Sequence, residues 1–157
     1  MNESFPFNPA SPYAVSKIAS FYLQQYFRNV YKLRVSSAIS FNHESPLRHE
    51  SFITRKITKA VARLKYGLQT ESLKLGNLYA NRDWGHARDF VQAFWLINNQ
   101  NRKDLQDYVV ATEACYTVKE FLIRAFMKAG FNDLRFIGKD LDEKLLSGSR
   151  VLAEIAS

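Results

Sequence analysis

The sequence predicts an α/β fold, and three observations carry that expectation. Amphipathic helical periods alternate with short apolar runs from end to end, the best helical stretches carry their own start and stop residues, and no low-complexity linker separates them. The 157 residues are 46% hydrophobic and 14% aromatic, a composition that folds. Glycine and proline, at 6 and 4, are too sparse for low complexity, and no repeat period is visible. One region, 1–157, with no assigned internal boundary is expected.

The elements follow in order. Ser11 as N-cap and Pro12 at the first helical position open a helix through Tyr31, with Val15, Ile18, Ala19, Tyr22, Leu23 and Tyr26 forming its apolar face. Residues 33–40, with Leu33, Val35 and Ile39 alternating, read as a strand that gives way to a polar loop, FNHESPLRHES. Ile53, Ile57, Ala60, Val61 and Leu64 mark a second helix, from Phe52 to about Tyr66, with Gly67 as its C′ stop. A short strand at 72–76 and a loop, LYANRDWGH, precede a third helix from Ala87 to Asn98. Residues 107–112, DYVVAT, are the clearest buried strand. Thr117 with Glu120 is a capping-box pattern opening a fourth helix that Gly130 ends. Residues 134–138 offer a last strand, and RVLAEI near the C-terminus is apolar without a decided type.

Cys115 has no partner for an internal disulfide, and neither an apolar leader nor a run of about 18 apolar residues is present, which fits a reducing cytoplasm. The formal charge of +7 suits nucleic acid, an anionic membrane or a phosphorylated small molecule alike. No RNA- or DNA-binding motif is present, so neither nucleic acid nor membrane is an expected partner. His43, His49 and His86 stand in no familiar metal-ligand register, and no metal is expected.

Three constellations carry possible chemistry. Tyr13-Ala-Val-Ser-Lys17 puts a phenol and an ammonium on one face of a helix. Phenols are poor bases at neutral pH; lowering one by about three units takes about 4 kcal/mol of preference for phenolate, which a nearby cation supplies. The bland reading is a tyrosine on the core face beside a snorkelling lysine. Phe41-Asn-His-Glu-Ser-Pro-Leu-Arg48, with Thr54-Arg55-Lys56, gathers donors able to grip a phosphate, although His43 equally satisfies its own loop and the cations equally face solvent. Asn77 and Arg82-Asp-Trp-Gly-His86 combine a cation for a diphosphate with an aromatic beside a glycine, or form a polar loop anchored by one tryptophan. A glycine-rich Gly-x-Gly-x-x-Gly turn occurs nowhere.

Taken together and in this order, SPYAVSK, FNHESP-x-R, F-x-TRKI, and LGN with RDWGHA-x-D resemble the GDP-mannose 4,6-dehydratase family. The resemblance covers nearly all of the chain and corresponds to a middle part of the family's sequence, so an internal fragment is expected. It implies a partial Rossmann-type fold of the extended short-chain dehydrogenase/reductases, without the N-terminal glycine-rich βαβ unit. It further implies an NADP-dependent lyase that converts GDP-mannose to GDP-4-keto-6-deoxymannose in GDP-fucose biosynthesis. In that family, Tyr13 resembles the base and Lys17 the lysine that contacts the nicotinamide ribose; both are catalytic and cofactor-binding. His43 and Arg48 resemble further NADP contacts, and Asn42, Lys56, Asn77 and Arg82 resemble residues that hold the GDP-sugar.

The chain departs from the family at several points. The family's Thr/Ser-x-Glu pair upstream of the tyrosine is missing, and Glu3 lies too near Tyr13 to be that glutamate. Leu47 and His49 stand where an arginine and a glycine are usual. The expectation is a chain without turnover alone; the alternative is a non-catalytic nucleotide-binding or assembly module, as a homo-oligomer or paired with full-length subunits.

Overall fold

The structure is a computed structural model and describes residues 2–100 and 105–156. In chain order its elements are α1 (Pro12–Val30), β1 (Ala38–Ser40), β2 (Asn42–Glu44), α2 (Ile53–Lys65), β3 (Leu73–Leu75), β4 (Asn81–His86), α3 (Ala87–Asn98), β5 (Tyr108–Val110), β6 (Cys115–Thr117), α4 (Val118–Lys128), β7 (Leu134–Ile137), β8 (Lys144–Ser147) and β9 (Arg150–Ile155). They fall into two compact units. The first comprises Met1–His43 and Gly85–Thr112, the second Glu44–Trp84 and Glu113–Ser157.

In the first unit, β1 and β5 pair in parallel, with Ile39 opposite Val109, and α3 packs on both. The start of α1 is built as its sequence dictates: Pro12 occupies the first turn and the Ser11 hydroxyl accepts from the Ala14 N–H at 3.1 Å. Its packed face differs from the expected one. Ala14, Ile18, Phe21, Gln24, Gln25 and Arg28 are half-buried, whereas Val15, Ala19, Tyr22, Leu23 and Tyr26 are exposed. The polar members of the packed face are drawn in by hydrogen bonds. Arg28 makes a bidentate pair with Asp107, both bonds at 2.8 Å, and Gln24 accepts from the Ser37 hydroxyl at 2.5 Å.

The expected strand at 33–40 is paired only over Ala38–Ser40. Upstream, Lys32 takes a left-handed φ of 56° and the Val35 carbonyl is occupied by Arg28, which ties that stretch to the helix. The strand read at 107–112 is confined to Tyr108–Val110, and all three residues are half-buried instead of buried.

The second unit holds the main core. β7, β8 and β9 form antiparallel neighbours and β3 adds parallel to β9, giving the order β3-β9-β8-β7. α2 contributes Ile57, Ala60, Val61 and Leu64 to this core, as its period predicts, and α4 contributes Val118, Leu122 and Phe126. The capping box is present in full: the Thr117 hydroxyl accepts from the Glu120 N–H while the Glu120 carboxylate accepts from the Thr117 N–H. Gly67 and Gly130 take φ of 68° and 96°, values that favour glycine at a helix C′ position.

Two expected loops contain strands. FNHESPLRHES begins with β2, and LYANRDWGH ends as β4, whose Asn81, Arg82 and Asp83 pair antiparallel with Thr117, Tyr116 and Cys115. Charged and polar residues disfavour strand intrinsically, but the ladder to β6 overrides that preference. RVLAEI resolves as β9. Among the described residues, no helix is long and apolar enough to cross a membrane.

Candidate functional site

In the first unit, α1 and β1 enclose an open cleft of about 660 Å³. Tyr13, Lys17 and His43 all line it, together with Asn8, Gln24 and Ser37 to Ser40. Tyr13 and Lys17 reach it from successive turns of α1, and the Lys17 ammonium sits 5.3 Å from the Tyr13 ring centroid. Tyr13 is 71% exposed, so it does not sit on a core face and its hydroxyl is open to a reacting group.

His43 is held from two sides. Its Nδ1 lies 3.1 Å from the Phe41 carbonyl, and its ring stacks on Phe90 with centroids 4.9 Å apart and planes at 26°. The first contact satisfies the local backbone and leaves Nε2 for another partner. Phe90 is pressed closely against Gly85, where an added Cβ would lie 2.3 Å from the Phe90 ring and 2.9 Å from Thr112.

The cleft is held in shape by Asp107, which sequence reasoning did not single out. Asp107 accepts from the Ser37 N–H at 2.8 Å as well as from Arg28, so one carboxylate ties β1 to α1. Burial pushes its carboxyl up, but the Arg28 guanidinium and the Ser37 amide outweigh this and hold it below the usual range. Arg28 is correspondingly raised by its hydrogen bond to Asp107. The two partners are 79 positions apart, and no local pattern announces such a pair.

The remaining candidates are distributed. Asn42 is exposed on β2 in the first unit. In the second unit, Arg48 lies 3.3 Å from Glu44 and stacks its guanidinium 3.5 Å from the Phe52 ring centroid, so it is tethered and not simply solvated. Lys56 is exposed on α2 and lines a shallow concavity of about 250 Å³ with Lys59, Arg63 and Ser72, which includes neither Asn77 nor Arg82. Asn77 accepts from the Tyr79 N–H at 2.8 Å in a side-chain-to-backbone turn. Arg82 is exposed on β4 and donates to the Asn81 carbonyl at 2.8 Å. Trp84 is half-buried against Phe121, 5.2 Å between centroids. Among the described residues no three His, Cys, Asp or Glu side chains converge as a metal site would require.

The residues that line the first-unit cleft are compatible with a nicotinamide cofactor. The cleft's volume lies within the range of small-molecule sites, and its walls combine apolar surface with a phenol, an ammonium and an imidazole. For the phosphates, the sequence holds no glycine-rich turn.

The chain resembles known proteins in sequence and in fold. The family model described as GDP-mannose 4,6 dehydratase matches residues 1–152. The chain belongs to that family. GDP-mannose 4,6 dehydratase 1 of Arabidopsis thaliana is 53% identical over 131 residues, covering 83% of this chain and 36% of the relative. The GDP-mannose 4,6-dehydratase of Sinorhizobium fredii strain HH103 is 44% identical over 143 residues, covering 91% and 40%. The chain thus spans little more than a third of the length of these curated relatives.

Among solved structures, RMD from Pseudomonas aeruginosa complexed with NADPH superposes with a TM-score of 0.74 at 28% identity, covering 78% of this chain and 42% of that one. DesIV, the dTDP-glucose 4,6-dehydratase from Streptomyces venezuelae with NAD and TYD bound, gives 0.69 at 26% identity, covering 82% and 38%. The fold is therefore α/β and part of the Rossmann-type architecture of extended short-chain dehydrogenase/reductases, with no glycine-rich βαβ unit among these 157 residues.

Proposed function

We propose that this chain carries the tyrosine–lysine segment and part of the nucleotide-sugar site of an NADP-dependent GDP-mannose 4,6-dehydratase, which converts GDP-mannose to GDP-4-keto-6-deoxymannose and water. The observation that carries the reading is the convergence of Tyr13, Lys17 and His43 on one cleft. When bound, NADP supplies reversible hydride acceptance, from C4 of the hexose and back to C6. The chain's own residues do the rest. Tyr13 takes the C4 hydroxyl proton, and Lys17 stabilises the charge left on the phenol oxygen and holds the nicotinamide ribose. His43 and Arg48 are assigned to NADP; Asn42, Lys56, Asn77 and Arg82 to GDP-mannose, as charge-assisted or neutral donors to its diphosphate and sugar. A cytoplasmic setting belongs to the same proposal.

The 157 residues contain neither the glycine-rich turn nor the Thr/Ser-x-Glu pair upstream of Tyr13. Without an acid to assist elimination across C5 and C6, the chain by itself is expected to make no 4-keto-6-deoxy product. An assembly or nucleotide-binding role is the second reading, supported by the exposed apolar row Tyr22, Leu23, Tyr26 and Val30 on α1.

A thermal melt with GDP-mannose tests the proposal. A ligand at about 100 times its Kd adds about 2.7 kcal/mol to the native state, so a cooperative transition is expected to move up by several degrees. A midpoint indifferent to GDP-mannose contradicts the substrate assignment and is the outcome a pure assembly module gives. Product formation by the chain alone contradicts the inactivity.

A further inference from the structure

We propose that Tyr79, Lys119 and Glu143 form a positioning cluster that fixes the segment from Asn77 to Arg82, and through it the nucleotide-sugar affinity, in the second unit. The inference rests on the assignment of Asn77 and Arg82 above. None of the three touches substrate in this account; each acts through the segment it holds.

The geometry is specific. The Tyr79 hydroxyl donates to Glu143 Oε1 at 2.9 Å and accepts from the Lys119 ammonium at 3.1 Å, while Lys119 donates to the same Oε1 at 2.5 Å. A phenol that donates once and accepts once is fully used. Lys119 also lies 4.0 Å from the Phe136 ring centroid, a cation–π contact that fixes its stem from the other side. Burial pushes the Lys119 ammonium down, but its bonds to Glu143 and Tyr79 outweigh that and raise it, so the cluster keeps its charge at neutral pH.

Backbone contacts show what the cluster anchors. The first amides of α4, left without intrahelical acceptors, donate to the segment: Val118 N–H to the Ala80 carbonyl at 3.2 Å and Lys119 N–H to the Leu78 carbonyl at 2.8 Å. Tyr79 lies between those two carbonyls, Asn77 closes its turn on the Tyr79 N–H, and Arg82 follows three residues on. The helix N-terminus and the cluster therefore grip the same few residues from backbone and side chain.

A stabilising role alone does not account for the arrangement. Glu143 is 3% exposed, and its Oε2 has no hydrogen-bond partner among the described residues. An ion pair with a buried carboxylate, a half-buried ammonium and one oxygen unsatisfied contributes less than apolar packing of similar volume, whereas it does enforce one geometry.

The test uses Tyr79→Phe, which keeps the ring and removes one hydroxyl, and Glu143→Gln, which keeps shape and removes charge. In the ligand-free chain, amide exchange over residues 77–83 is expected to accelerate while α2 stays as protected as in the wild type. Calorimetry with GDP is expected to show about three- to tenfold weaker binding by Tyr79→Phe, the loss set by one hydrogen bond. NADPH affinity should not move in either variant. Unchanged exchange over 77–83 overturns the inference whatever the ligand result. Faster exchange with unchanged GDP affinity overturns the link to the site. If the wild type itself fails to bind GDP, the functional reading falls, and exchange alone decides whether the segment is pinned.

Discussion

Phe126→Ala is expected to lower the stability of the second unit by about 3–5 kcal/mol, the range for truncating a fully buried phenylalanine. Phe126 is 0% exposed, sits among Leu122, Ile57 and Leu64, and meets Phe131 edge-on at 5.3 Å. Urea denaturation followed by Trp84 fluorescence checks this: the midpoint should fall steeply with little change in slope. Met127→Ala, one position on and 57% exposed, is the comparison and should cost within about 0.5 kcal/mol. Equal effects at the two positions would mean that the core is not where the structure puts it.

Gly85→Ala is the second large effect, and it reaches the candidate site. The new methyl would meet the Phe90 ring at 2.3 Å, a distance at which something must shift. Phe90 is 3% exposed and has little room to yield, so overpacking of about 1–3 kcal/mol is expected. Because Phe90 carries the stacked His43 ring, the displacement should also appear in the His43 imidazole resonances. Adding Phe90→Leu should restore part of both. Gly85→Ala with unaltered stability and unaltered His43 signals would contradict the stacking.

How much of this was legible in the sequence depends on whether a signal is local. The caps of α1 and α4 were readable because Ser11-Pro12 and Thr117 with Glu120 act within one turn. The face of α2 was readable because its burial follows apolar period alone. The face of α1 was not, since Arg28, Gln24 and Gln25 are half-buried against partners, Asp107 and Ser37, that lie outside the helix. β4 was missed for a related reason: Asn-Arg-Asp has poor strand preference, and it is pairing with β6, distant in sequence, that makes it a strand.

The site divides along the same line. Tyr13 and Lys17 are neighbours on a helix, so their shared face followed from spacing. Their convergence with His43 on one cleft is tertiary, as are the roles of Asp107 and the Tyr79–Lys119–Glu143 cluster. The weak individual motifs are informative only through their order, and the family model matches residues 1–152, which hold all of them.

In the proposed function, the cleft between α1 and β1 receives the nicotinamide end of NADP. The measurement that addresses it most directly is a fluorescence titration of NADPH into the wild-type chain and into Lys17→Met. Saturable binding by the wild type is predicted, with at least about tenfold weaker binding by Lys17→Met, as loss of one charge-assisted contact implies. Absence of saturable binding by the folded wild-type chain, or equal affinity in the two proteins, would contradict the claim.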